Sequence, residues 1–137
     1  MSKIRLYKDE MKKDILRGND AITKAGAPLP RLFRAPSGDY NNDVISAAEN
    51  LKMKYIQWSV DSLDWRGLTC EQMSERIIPK TKPGDILLFH NDTAHTADSL
   101  DKILTELEKK GFSFFKVSDL IYKDNYTIDH KGRQIMK

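Results

Sequence analysis

Apolar positions recur at helical spacing in four stretches of the chain, and runs rich in β-forming residues lie between them. Between residues 8 and 25, Met11, Ile15, Leu16 and Ile22 stand among charged residues and predict an amphipathic helix, closed by Gly26 as its C-cap. Pro28 and Pro30 interrupt the chain before Arg31-Leu32-Phe33, a short predicted strand. Val44, Ile45, Ala48 and Leu51 share one face and predict a second helix over residues 42–52, with Asn41 or Asn42 as its cap. Tyr55-Ile56-Gln57-Trp58-Ser59-Val60 predicts a second strand, in which Trp58 alternates with Ile56 and Val60 as a core position. Thr69 and Gln72 fit a capping box for a short helix through Ile78, and residues 85–90 form the third predicted strand. From Thr96 onward, Leu100, Ile103, Leu104 and Leu107 make a stripe that reads as core, Gly111 ends that helix, and residues 112–117 supply a fourth strand.

Strands alternating with helices at short intervals predict an α/β fold with a parallel sheet, either open or part of a β/α barrel. One domain is expected at 137 residues. Residues 123–137 are polar and read as a tail that docks or frays.

Composition narrows the function classes. The longest apolar run, Ile86-Leu87-Leu88-Phe89, is far too short to cross a bilayer, so no membrane span is expected. The opening residues, Met1 to Leu6, alternate charge with isolated apolar residues and do not read as a signal peptide, and localisation stays undetermined. The single cysteine, Cys70, excludes an intrachain disulfide and reads as a small packed residue. The net charge of +3 comes from lysines and arginines interleaved with acids, as in Glu106-Leu107-Glu108-Lys109-Lys110, and this argues against a nucleic-acid partner. A nucleic-acid-binding domain would instead show salt-dependent affinity.

Candidate chemistry sits at the predicted strand ends. Arg34-Ala35-Pro36-Ser37-Gly38, Asp61-Ser62-Leu63-Asp64-Trp65 and Leu87-Leu88-Phe89-His90 each close or follow a strand, and in a parallel β/α fold such segments converge on one face. Together they offer a fixed cation, a turn with backbone amides, two carboxylates, an indole and an imidazole, which are parts of an acyl-transfer site.

The order R-x-P-x-G, D-x-x-D-W, L-x-H resembles the last three motifs of the NodB-homology polysaccharide deacetylases, and the similarity extends from the first helix to about Leu120. It implies an α/β fold that is the C-terminal half of a deformed β/α barrel with parallel strands, occupying residues 1–122. It also implies removal of N-acetyl groups from a cell-wall amino-sugar polysaccharide, peptidoglycan-like or chitin-like, by a family usually extracytoplasmic or cell-wall associated. By that resemblance His90 is the general acid, Asp64 its carboxylate partner, Arg34 the residue that orients the catalytic base, and the Ser37 amide an oxyanion donor. Trp65 and Leu88 match the walls of the acetyl pocket, and Asp61 fits the motif without an assigned role.

The intact family uses a divalent metal, zinc or similar, held by one Asp and two His. The T-F-D-D and H-x-x-x-H motifs that supply it do not occur in this sequence, whose histidines are His90, His95 and His130. No metal is therefore expected on this chain alone, which is expected to be inactive by itself. Ser37 stands where the family has an aromatic residue, and Asn91 replaces the commoner acid. A half barrel exposes strand edges, so self-association or a missing N-terminal half is expected. The alternative is an inactive half-domain with at most carbohydrate binding.

Overall fold

The computed structural model describes residues 8–137. The stretch read as lacking a signal peptide, residues 1–6, lies outside them, as does the start of the expected domain over residues 1–122. The chain divides into two compact units, Met1–Gln57 and Trp58–Lys137.

The first unit holds two helices, α1 (Lys8–Lys24) and α2 (Asn42–Asn50), and a parallel pair of strands, β1 (Leu32–Phe33) and β2 (Lys54–Tyr55), with α2 against β2. Asn41 caps α2 by accepting the Val44 amide at 3.0 Å, and Gly26, at φ 90°, follows α1 as expected. The two helices pack together. Only part of the predicted α1 face is covered: Leu16 and Ile22 stay exposed, while Asn19 is buried and donates from Nδ2 to the Met53 sulfur at 3.4 Å. Ala35, Ala47, Ala48, Met53, Tyr55 and Ile56 are the buried apolar residues around which this unit closes.

In the second unit, β3 (Val60–Asp61) pairs in parallel with β4 (Leu87–Leu88), in the register Val60 to Leu87 and Asp61 to Leu88. The helices α3 (Cys70–Ile77) and α4 (Thr96–Lys109) pack on each other. Val60, Met73, Ile77, Ile103 and Leu107 form the core, with Leu68, Ile78, Leu87, Phe89 and Phe112 against it. The predicted capping box is present, with the Gln72 amide on the Thr69 hydroxyl and the Thr69 amide on the Gln72 side chain. Gly111 ends α4 at φ 89°.

Three expectations change. The single strand predicted over residues 55–60 is two strands in different sheets: Lys54 and Ile56 donate to Arg31 and Phe33, whereas Ser59 and Val60 donate to Ile86. A ladder requires a partner, and the partner changes within this run. The strand predicted over 112–117 is irregular from 112 to 116 and then enters a short helix, α5 (Val117–Leu120). Its Phe114 and Phe115 are exposed, and among the described residues no strand pairs with it.

The polar tail folds in part into an antiparallel hairpin, β5 (Tyr126–Ile128) with β6 (Gln134–Met136). Asp129 makes this turn by accepting the Lys131 and Arg133 amides at 2.8 and 2.9 Å, and Gly132 takes the left-handed position at φ 78°. Among the described residues the strands form three two-stranded sheets, and the two parallel pairs alternating with helices give an α/β fold. No helix among the described residues is long and apolar enough to cross a membrane.

Candidate active site

The pairing of β3 with β4 sets the C-terminal ends of both strands side by side, so the segments that leave them share one end of the sheet. The segment after β3 passes through Leu63 at φ 54° into a single 3₁₀ turn, Asp64–Arg66. A leucine in the left-handed region costs roughly 1–2 kcal/mol. Asp61 holds the bend: its Oδ1 accepts the Leu63 amide at 2.9 Å, and its carbonyl accepts from Arg76 Nε at 2.8 Å. This gives Asp61, left without a role by sequence reading, a conformational one.

The bend turns Asp64 inward. Its side chain is fully buried, while that of His90 is 35% exposed. Every lone pair of the carboxylate is engaged. Oδ1 faces His90 Nδ1 at 2.7 Å and accepts the Trp65 amide at 3.0 Å; Oδ2 accepts the His90 amide at 2.7 Å and the Thr96 hydroxyl at 2.8 Å. Burial alone would raise the Asp64 pKa, but the bonds from the His90 amide and ring and from the Thr96 and Ser62 hydroxyls outweigh it and hold the group down at about 2. Asp64 is therefore ionised at neutral pH. A carboxylate can only accept, so Nδ1 is the donor in that contact and Nε2 is left as the atom that can exchange a proton.

Trp65 is 56% exposed beside this pair, with the Arg66 guanidinium 5.0 Å from its ring centroid. Leu88 is half-buried in β4, opposite Asp61 in the register. Asp64, Trp65, Leu88 and His90 thus belong to the end of one parallel pair.

Arg34 and Ser37 belong to the first unit, just past the end of β1. Their segment closes through Gly38 N to Ala35 O at 3.0 Å and Asp39 N to Pro36 O at 3.3 Å. Ser37 sits at φ 56°, ψ 10° inside the turn. Arg34 is exposed and bears electrostatically on the buried Tyr55, as do Tyr40 and Asp39. Each of the three motif segments, or the residue or two beyond it, contains a non-glycine residue at positive φ: Ser37, Leu63 and Asp92. Such strain persists where the surroundings over-determine it, and it clusters at functional positions.

Sequence reading missed Thr96 and Thr93. Thr96 is buried, reaches Asp64, and itself accepts from the Thr93 hydroxyl at 2.6 Å. The available signal was a threonine opening the helix six residues after His90, which the stripe in that helix overshadowed.

An ionised, buried carboxylate thus holds an imidazole at the end of a parallel strand pair in an α/β protein. Comparison with known proteins agrees. The polysaccharide deacetylase family model matches residues 4–56. A peptidoglycan-N-acetylglucosamine deacetylase of Bacillus cereus is 35% identical over 118 residues, covering 82% of this chain and 55% of the relative. A solved mutant of a CE4 family pseudoenzyme from Bacillus anthracis, described as having restored activity, superposes with a TM-score of 0.80 at 31% identity, over 85% of this chain and 42% of the other. An acetyl xylan esterase of Clostridium thermocellum, solved with a cobalt ion, shares the fold with a TM-score of 0.74 at 23% identity, over 88% of this chain and 58% of the other.

The chain belongs to the polysaccharide deacetylase family, and it spans about half the length of the curated relatives it matches. Those from Bacillus cereus are peptidoglycan-N-acetylglucosamine deacetylases, and the acetyl xylan esterase that shares the fold was solved with a cobalt ion. Among the described residues no three His, Cys, Asp or Glu side chains come together as a metal ion needs, so this donor set does not fit one.

Proposed function

We propose that this chain contributes the proton-delivery and oxyanion side of an amide hydrolysis that removes N-acetyl groups from a cell-wall amino-sugar polysaccharide, peptidoglycan-like or chitin-like. In that reaction water adds to the acetyl carbonyl, the C–N bond breaks, and the departing amine takes a proton from His90 Nε2 while Asp64 balances the imidazolium. The Ser37 amide donates to the oxyanion, Arg34 orients the base, and Trp65 and Leu88 wall the acetyl group; these four roles rest on the family motifs, residue by residue. The fold is read as the C-terminal half of a deformed β/α barrel over residues 1–122, with residues 123–137 appended. The nucleophile and its metal are assigned to no residue of this chain.

The observation that carries the reading is the 2.7 Å contact of His90 Nδ1 with a fully buried Asp64, which leaves Nε2 to a substrate. A second reading, an inactive half-domain that binds glycan, is favoured by the exposure of the Trp65 indole, which suits stacking on a sugar whether or not catalysis follows.

Acetate release from N-acetylglucosamine oligomers separates the two. We expect none from the chain alone with added zinc or cobalt. When the chain is joined to the N-terminal segment of the Bacillus cereus relative, release should appear, and His90→Ala should lower turnover by roughly 10²–10⁴-fold with little change in KM. Release insensitive to His90→Ala would exclude the general-acid role. Glycan binding without release in the joined protein would favour the second reading.

A further inference from the structure

The Asp64 carboxylate is held by donors from three places in the second unit: the turn that carries it, the end of β4, and the first residue of α4. Oδ2 accepts this last, side-chain bond beside the His90 amide, with the Ser62 hydroxyl also bearing on the carboxylate. If Oδ2 were released, the carboxylate could rotate about its Cβ–Cγ bond and Oδ1 would leave the imidazole. The Thr96 hydroxyl has one proton, and the Thr93 hydroxyl donates to its oxygen at 2.6 Å, so that proton is directed to Asp64 at 2.8 Å. Thr93 and Thr96 flank the turn into α4, and Thr96 is 8% exposed. The donors therefore converge on the carboxylate: Thr93 donates to Thr96 and Thr96 to Asp64 Oδ2, while the His90 ring donates from Nδ1 to Oδ1 on the other side.

We infer that Thr96 is a positioning residue for the Asp64–His90 pair and that Thr93 sets the direction of its hydroxyl. Thr96 touches no substrate: it acts through Asp64, by fixing the rotation that keeps His90 in the tautomer with the proton on Nδ1. The inference rests on the proposed general-acid role of His90. It adds that the strength of the Nδ1 hydrogen bond is controlled from the start of α4, outside the three motif segments.

The test is nitrogen-15 NMR of the histidine rings in the full chain, with His90 assigned by its loss in His90→Gln. The wild type should show a His90 Nδ1 proton protected from exchange with water. Thr96→Val keeps the shape and removes the donor, and should speed that exchange on the order of tenfold as the bond opens more often. Thr96→Ser should restore the wild-type rate, and Thr93→Val should fall between.

A Thr96→Val protein with unchanged His90 exchange overturns the inference while leaving the Asp64–His90 pair standing. A wild type with the proton on Nε2 overturns the pair itself, and the general-acid reading with it. Should Thr96→Val fail to fold, Thr93→Val decides alone, because an unchanged rate there shows that the hydroxyl chain directs nothing.

Discussion

The two units are built on the same plan and hold their motifs by different means. Each has a short parallel strand pair with a motif segment at its C-terminal end. In the second unit the segment is fixed by side chains, through a buried anion that collects four hydrogen bonds from three elements. In the first it is fixed by backbone turns at Ala35 and Pro36 and by aromatic packing, with the Tyr40 and Tyr55 rings 5.0 Å apart. One unit buries a group that must stay charged, and the other buries a phenol that must stay neutral. Acid and alkali should therefore attack different halves of the chain.

The largest expected effect comes from Asp64→Asn. A carboxamide cannot accept all four bonds, and its NH₂ would face a donor, so the substitution should cost about 3 kcal/mol, read as a lower urea midpoint near neutral pH. The acid branch follows from the same group. Its folded pKa, about 2, lies below the ordinary 3.8, so the carboxylate stabilises the fold above that value and the contribution is lost as the pH falls through about 2. It is worth about 2 kcal/mol, and Asp64→Asn should flatten that part of the stability curve. An acid limb unchanged in the variant would remove the contrast between the units.

Next in size is Tyr55→Phe. Burial, with Tyr40 and Asp39 adding to it and Arg34 opposing, raises the Tyr55 pKa from 10.0 to about 12. A folded value above the unfolded one means that the stability is present below pH 10.0 and is lost as the pH rises through about 12. Phenylalanine should remove about 3 kcal/mol of that alkaline loss. It forfeits the 2.7 Å bond to Gln57 Oε1, at about 1 kcal/mol near neutral pH. Urea midpoints on both sides of the tyrosine transition check this.

The smallest effect tests the backbone device of the first unit. Ser37 at φ 56° pays for a conformation that glycine adopts freely, so Ser37→Gly should stabilise the chain by roughly 0.5 kcal/mol once the added freedom of the unfolded glycine is counted. A loss of more than about 1 kcal/mol would mean that the serine side chain, and not the backbone, holds the turn.

Local signals were the legible ones. The Thr69–Gln72 capping box, the Asn41 cap and the glycines that end α1 and α4 each depend on a few neighbouring residues, and each is where the sequence puts it. Strands were less legible because they depend on partners far along the chain. Residues 55–60 carry the composition of one strand but serve two ladders, and residues 112–116 carry it without entering one. The Asp64 contact with His90 was readable because both stand in motif segments. Thr96 was not, since a threonine opening a helix has an ordinary explanation and its reach to Asp64 depends on how α4 packs.

The hairpin at the C-terminus bears on how the protein is trimmed and tagged. Asp85, whose side chain is 3% exposed, braces the approach to both strands of the second unit through Ser59 Oγ and the Lys82 amide at 2.7 Å each, and the Arg133 guanidinium lies 3.4 Å from the same carboxylate. Cutting after Leu120 to tidy away a polar appendage would delete that counter-charge along with β5 and β6. A shortened protein that came out insoluble or inert would then report a damaged brace rather than a missing catalytic group, and a purification handle is better carried at the end of the full chain.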